Sequence, residues 1–291
     1  MKINTIKKIL NGKFNSWADS IVKPELANMV KENSFITGGC IASMLMRETV
    51  NDFDIYFRNK ETALAVAEYY VESFKTSGHE IKVHLDEESE RIRIVTKSGH
   101  RGATGGAIED EVIPSSGEIE DRYVEAEAKA LDEKEDGKFN PVFFSTNAIT
   151  LSGKIQLVLR FYGEPEDVHK NYDFVHCTNY WTSRDNNLVL RQDALESILS
   201  KELRYVGSLY PVCSIIRLRK FIARQWTVNA GQILKMLLQC GELDLTDPKI
   251  LEDQLTGVDS AYFCQLIRAV HEKDEQKVTA AYLVEIIDRI F

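Results

Sequence analysis

The chain has 291 residues, 44% hydrophobic and 28% charged, with a formal net charge of −9. That is room for one large domain or two ordinary ones, and no stretch is long and apolar enough to span a bilayer. The acid excess argues against a uniformly basic nucleic-acid binder, but it is local: residues 108–137 hold twelve acidic against three basic residues, which accounts for the whole net charge.

Residues 1–34 read as helices. Ile3, Ile6, Ile9 and Leu10 keep a helical period, and Pro24 opens a second segment at a favoured first-turn position. The basic start lacks the long apolar core of a signal peptide. Phe35-Ile-Thr-Gly-Gly-Cys-Ile-Ala-Ser-Met-Leu-Met follows, a strand, a glycine pair and a short helix. Next comes Asp52-Phe-Asp-Ile-Tyr-Phe57, a strand with Phe53, Ile55 and Phe57 on one side. Residues 61–74 read as a helix, and 80–85 and 91–95 alternate strictly as strands. Residues 101–140, rich in Gly, Ser and acids, read as an exposed insertion. Residues 142–145, 148–151 and 154–161 read as strands with a Ser152-Gly153 turn, Pro165 starts a short helix, and 173–181 and 188–191 read as further strands. From Asp193 the pattern is helical only. Asp193 to Glu196 reads as a capping box, Pro211, Asn229 and Asp247-Pro248 open helices, and two more cover 260–272 and 275–290. The five cysteines (Cys40, Cys177, Cys213, Cys240 and Cys264) are scattered, odd in number and without metal-ligand spacing, which fits a reducing cytoplasm.

Chemistry concentrates at residues 38–54. A glycine pair lets the backbone approach a phosphate closely, and the first amides of the helix after it point at an anion. Asp52 and Asp54, two apart on a strand, share a face. Two adjacent carboxylates suit Mg²⁺ carrying a nucleotide phosphate.

Gly-Gly, a short helix and a strand-borne Asp-x-Asp, in this order, resemble the polymerase-β-type nucleotidyltransferase superfamily. The resemblance implies nucleotide binding at Gly38, Gly39 and Cys40, and Mg²⁺ or Mn²⁺ at Asp52 and Asp54. Such enzymes carry a third carboxylate on a strand after the insertion region. The matching position here is Gln156, which brings no charge. Two readings stay open: Asp173, on the next expected strand, substitutes as a catalytic residue, or the site is degenerate. Lys201-Glu-Leu-Arg-Tyr-Val-Gly207, then Ser214-Ile-Ile-Arg-Leu-Arg-Lys-Phe-Ile-Ala-Arg224, is similar to the head-to-neck segment of class II tRNA CCA-adding enzymes and bacterial poly(A) polymerases. There Arg217, Lys220 and Arg224 share a helix face suited to phosphate or RNA. Ala42-Ser43 stand where that family has an Arg-Asp pair, and its base-selecting element is absent from Tyr210–Ser214, so specificity for CTP and ATP is not carried over. Arg160–Pro165 and Tyr172–Trp181 resemble phage-encoded nucleotidyltransferase-like proteins.

These readings give an α+β fold. A nucleotidyltransferase-type mixed sheet with helices occupies 1–190, including the helices of 1–34 and the insertion 101–140, and an all-α helical domain occupies 191–291. The function implied is metal-dependent transfer of a nucleoside monophosphate from an NTP to an acceptor hydroxyl, with an RNA or tRNA 3′ end among the candidate acceptors. The alternative is a catalytically degenerate nucleotide-binding, regulatory or assembly module. NTP is the expected partner, RNA or tRNA a candidate second one, and membrane is not expected. The setting is the cytoplasm, that of the host if the chain is phage-encoded.

Overall fold

A computed structural model of the chain describes residues 1–75, 81–86, 91–96, 139–144, 147–245, 247, 250, 253 and 254. The acidic segment 108–137 and the helices expected over 260–272 and 275–290 lie outside these residues. The chain forms two compact units: Met1–His169 with Cys177–Arg191, and Lys170–His176 with Gln192–Phe291.

In the first unit the helices are α1 (Ile3–Ala18), α2 (Pro24–Asn33), α3 (Gly39–Met46), α4 (Lys60–Lys75) and α5 (Pro165–His169). The strands are β1 (Ser34–Thr37), β2 (Phe53–Phe57), β3 (Ile81–Asp86), β4 (Arg91–Thr96), β5 (Pro141–Phe144), β6 (Ala148–Leu151), β7 (Ile155–Tyr162), β8 (Tyr180–Thr182) and β9 (Asn187–Val189). Seven strands form one sheet in the order β5-β6-β7-β2-β1-β8-β9, and β3 and β4 pair separately. β2 and β7 run parallel, and the other neighbours are antiparallel. The sheet is therefore mixed, as the sequence predicts.

Period-two alternation gives this sheet one apolar face. Ile36, Phe53, Ile55, Phe57, Ile149, Leu157 and Trp181 join one buried cluster with Ile6, Leu10, Phe14 and Trp17 of α1 and Val66 and Tyr70 of α4. The Phe14 and Trp181 rings are 5.5 Å apart. Buried Trp17 donates Nε1–H to Tyr70 Oη at 2.8 Å, so the one polar atom of the indole is satisfied inside the core. On the opposite parity Phe35, Thr37 and Tyr56 are also buried, and Asp54 and Gln156 are the partly exposed polar residues. The β6–β7 hairpin turns at Gly153 (φ 77°) and Lys154 (φ 61°), and so brings Gln156 back along β2.

The second unit carries α6 (Gln192–Ser200), α7 (Pro211–Ala223) and α8 (Ala230–Cys240). Pro211 opens α7, and the Asn229 side chain caps α8 by accepting from Gln232 N–H at 3.1 Å. Two local expectations are corrected. Asp193 lies inside the first turn of α6 and accepts from Ala194 N–H, so it is not a cap. The strand expected over 173–181 is confined to Tyr180–Thr182, because Val175–Cys177 is a turn of 3-10 helix. The apolar run there is spent on aromatic packing. Within the second unit His176 stands 4.4 Å from the Trp226 ring and 4.9 Å from Phe221, and Phe174 bridges to Tyr205.

Candidate functional site

Four strands of the first unit converge on one cross-sheet row. Thr37 of β1 is the register partner of Asp54 on β2, Asp54 of Gln156 on β7, and Gln156 of Thr150 on β6. Register partners share a face. Asp54 and Gln156 are partly exposed between buried neighbours, so the row opens to solvent at its centre. Asp52, exposed, precedes β2 by one residue.

β1 leads from Thr37 into Gly38, whose φ of 90° and ψ of −158° are reserved in practice for glycine. Gly38 N–H donates to Cys177 O at 3.1 Å, which fixes the turn. Gly39 starts α3 and is exposed, and a Cβ there would meet nothing within 4 Å. No side chain caps this helix end, and no acid lies in its first turn. Its positive end therefore faces open space beside the Asp52 and Asp54 strand. At the other end Arg47 takes a left-handed φ of 64°, and Glu48 N–H donates to Ser43 O, which turns the chain back toward β2.

Cys40 is 3% exposed and belongs to the core cluster, so what it can offer a ligand is its backbone N–H. Burial pushes its thiol well above the usual range, and the charges of Asp54 and then Asp52 push it further. A raised thiol is a poor nucleophile. The same shift registers the negative field of both carboxylates at the start of α3.

The hydroxyl of Thr37 ties the row down. It is fully buried, donates to Asn179 O at 2.9 Å and lies 2.8 Å from His169 Nε2. The hydroxyl also reaches Cys177 O at 3.2 Å, so it ties β1 to the 177–179 segment and to His169. Burial, with Arg191 adding to it against Glu166, lowers His169 to about 4, which keeps the ring neutral. Neither Thr37 nor His169 stands out in the sequence. They lie 132 residues apart, and nothing local to either marks the contact.

The remaining expected residues lie in the second unit. Asp173 is buried, and both carboxylate oxygens are engaged there. Oδ2 accepts from Arg217 Nη1 at 2.8 Å, and Oδ1 accepts from Phe174 N–H at 3.0 Å. Arg217 of α7 is thus an ion-pair partner, while Lys220 and Arg224 are exposed at the end of that helix.

Asp52 and Asp54 are hard oxygen donors, and a magnesium-type ion is commonly held by one or two carboxylates plus substrate phosphates. Among the described residues no group of three or more His, Cys, Asp or Glu could hold a metal unaided. The donor set fits an ion that arrives with a polyphosphate.

Residues 8–201 match the family described as Gabija anti-defense 2 family protein. The chain belongs to this family. A relative from Bacillus phage SPbetaL7, named Gabija anti-defense 2, is 20% identical over 269 residues. The match takes in 91% of this chain and 50% of the phage protein, so the chain spans half the length of that relative. Among solved structures, a CCA-adding enzyme in complex with CTP is 11% identical, covering 99% of this chain and 65% of the other at a TM-score of 0.42. The Thermotoga maritima CCA-adding enzyme in complex with tRNA is 12% identical, covering 94% and 68% at a TM-score of 0.40. These structural likenesses are distant. No helix among the described residues is long and apolar enough to cross a membrane.

Proposed function

We propose that this family member acts against bacterial defence, as the name of its phage relative indicates, and does so as a metal-dependent nucleotidyltransferase. The observation that carries this reading is the register of Thr37 with Asp54. It sets the Gly38 turn and the uncapped end of α3 beside the Asp52 and Asp54 strand. The backbone amides after Gly38 would take the triphosphate, and Gly39 leaves room for it. Asp52 and Asp54 would hold the divalent ion, Mg²⁺ or Mn²⁺, which when bound neutralises charge on the phosphates. Thr37, held by Asn179 and His169, keeps the turn from shifting when the anion binds. The acceptor is a hydroxyl, with an RNA 3′ end, a protein side chain and a small molecule as candidates. Lys220 and Arg224 are the cations that an RNA backbone would meet.

Incubation with each α-labelled NTP, Mg²⁺ or Mn²⁺ and host lysate or total RNA tests the reading. Label should pass to one acceptor with the parent and not with Asp52→Asn/Asp54→Asn. A second reading, a nucleotide-binding regulator that does not transfer, is favoured by one observation: the register partner of Asp54 is Gln156, a neutral amide. Saturable NTP binding without label transfer would select it.

A further inference from the structure

Among the described residues, the polar row of the first unit is short of charge for two ions. Two-metal phosphoryl-transfer sites place their ions about 3.5–4 Å apart as a clamp on the attacking and leaving oxygens. Two dications side by side need more anionic ligand charge than one, and here the carboxylates are Asp52 and Asp54. Here Asp54 has Thr37 on one side and Gln156 on the other, with Thr150 beyond. All three are neutral. An amide oxygen can ligate a cation but does not offset its charge, and magnesium-type ions are held by carboxylate and phosphate oxygens before others.

Two further observations point the same way. Lys154, just ahead of β7, sends its ammonium to Val50 O at 3.2 Å, so the loop leading to Asp52 already holds a fixed positive charge. Asp173, the carboxylate that the sequence offers as a substitute ligand, has both oxygens engaged inside the second unit by Arg217 and the Phe174 N–H.

We propose that this site takes a single divalent ion, the one that enters with the triphosphate, and that Gln156 is the residue that withholds the second. The inference rests on the nucleotide-binding reading above and sharpens it: the ligand is a 1:1 metal–NTP complex. On the acceptor side Gln156 presents a neutral amide, able to donate to or accept from a sugar or acceptor hydroxyl.

The test counts ions and does not depend on turnover. Mn²⁺ is titrated into the protein with a non-hydrolysable NTP analogue, and bound ion is read from the loss of the free Mn²⁺ EPR signal. Nucleotide-dependent binding should saturate at one ion per chain in the parent. It should rise to two in Gln156→Glu, which keeps the side-chain shape, or in Gln156→Asp, and vanish in Asp54→Asn. Two ions in the parent would overturn the inference while leaving the nucleotide site standing, with the extra carboxylate coming from elsewhere in the chain. A count that stays at one in both Gln156 variants would overturn the role given to Gln156. No nucleotide-dependent ion in the parent would overturn the site and this inference together.

Discussion

Gly38 and Gly39 are adjacent, and their demands differ. Gly38 sits where a Cβ is strained whatever the space around it, so Gly38→Ala should cost about 1–3 kcal/mol in chemical denaturation. Gly39 has a helical place and open space, so Gly39→Ala should leave the denaturation midpoint within about 0.5 kcal/mol of the parent, as for an ordinary surface change. It should nevertheless weaken NTP binding at least tenfold by calorimetry, because the new methyl occupies the space read as the phosphate's. If Gly39→Ala binds NTP like the parent, the phosphate does not lie against that turn. The histidines give a second residue-scale prediction. Burial lowers both His169 and His176 to about 4, against about 6.5 in the unfolded chain. Between those values the unfolded state binds more protons. Stability is therefore full above about pH 6.5 and is lost as pH falls toward 4, by on the order of 2–3 kcal/mol per histidine. Asp173 opposes the shift at His176, and Glu166 opposes it at His169, but burial outweighs both. Urea midpoints at pH 7 and pH 5 should show the fall. His176→Phe, which keeps the aromatic contacts to Phe221 and Trp226, should reduce it.

At the scale of elements, α7 carries two kinds of cation. Arg217 is committed to Asp173, so Asp173→Asn should destabilise the fold by about 1–3 kcal/mol, the worth of a hydrogen bond to a charged group. Metal–nucleotide affinity should not change; an affinity loss as large as that of Asp54→Asn would return Asp173 to the site. Lys220 and Arg224 are exposed, so replacing both with Gln, with a denaturation midpoint to show the fold kept, tests RNA binding. If they meet phosphates, the slope of log K against log salt should fall by roughly one unit for each phosphate no longer neutralised, for all RNA sequences alike. Much at this scale is legible in the sequence. The glycine turn, the alternation of β2, the Ser152-Gly153 hairpin and the Pro211 and Asn229 helix starts are local signals, and their physics is local. Residues 173–181 mislead because an apolar run with alternating bulk looks like a strand. Phe174 and His176 instead fill an aromatic cluster whose partners, Tyr205, Phe221 and Trp226, lie far along the chain. The Thr37–His169 pairing is illegible for the same reason. Gln156 can be placed from the sequence only by resemblance, and the strand register puts it beside Asp54.

At the scale of the whole molecule, one sheet face packs on α1, α2 and α4, while the other carries Thr37, Asp54 and Gln156 beside the buried Phe35 and Tyr56 pair. A family matched over residues 8–201 spans the first unit from α1 to β9 and reaches the end of α6. The candidate site lies wholly inside that stretch. If the chain acts against defence as proposed, and does so through this site, a phage carrying it should plate on cells with Gabija defence and one carrying Asp52→Asn/Asp54→Asn should not. Whether Asp52 and Asp54 hold a metal–nucleotide complex is decided by calorimetric titration of each NTP with Mg²⁺ into the parent and into that double variant, with circular dichroism to show both folded. The parent should bind at least one NTP saturably and only with metal, and the variant none. Equal binding by the two proteins, or metal-independent binding by the parent, would contradict that assignment.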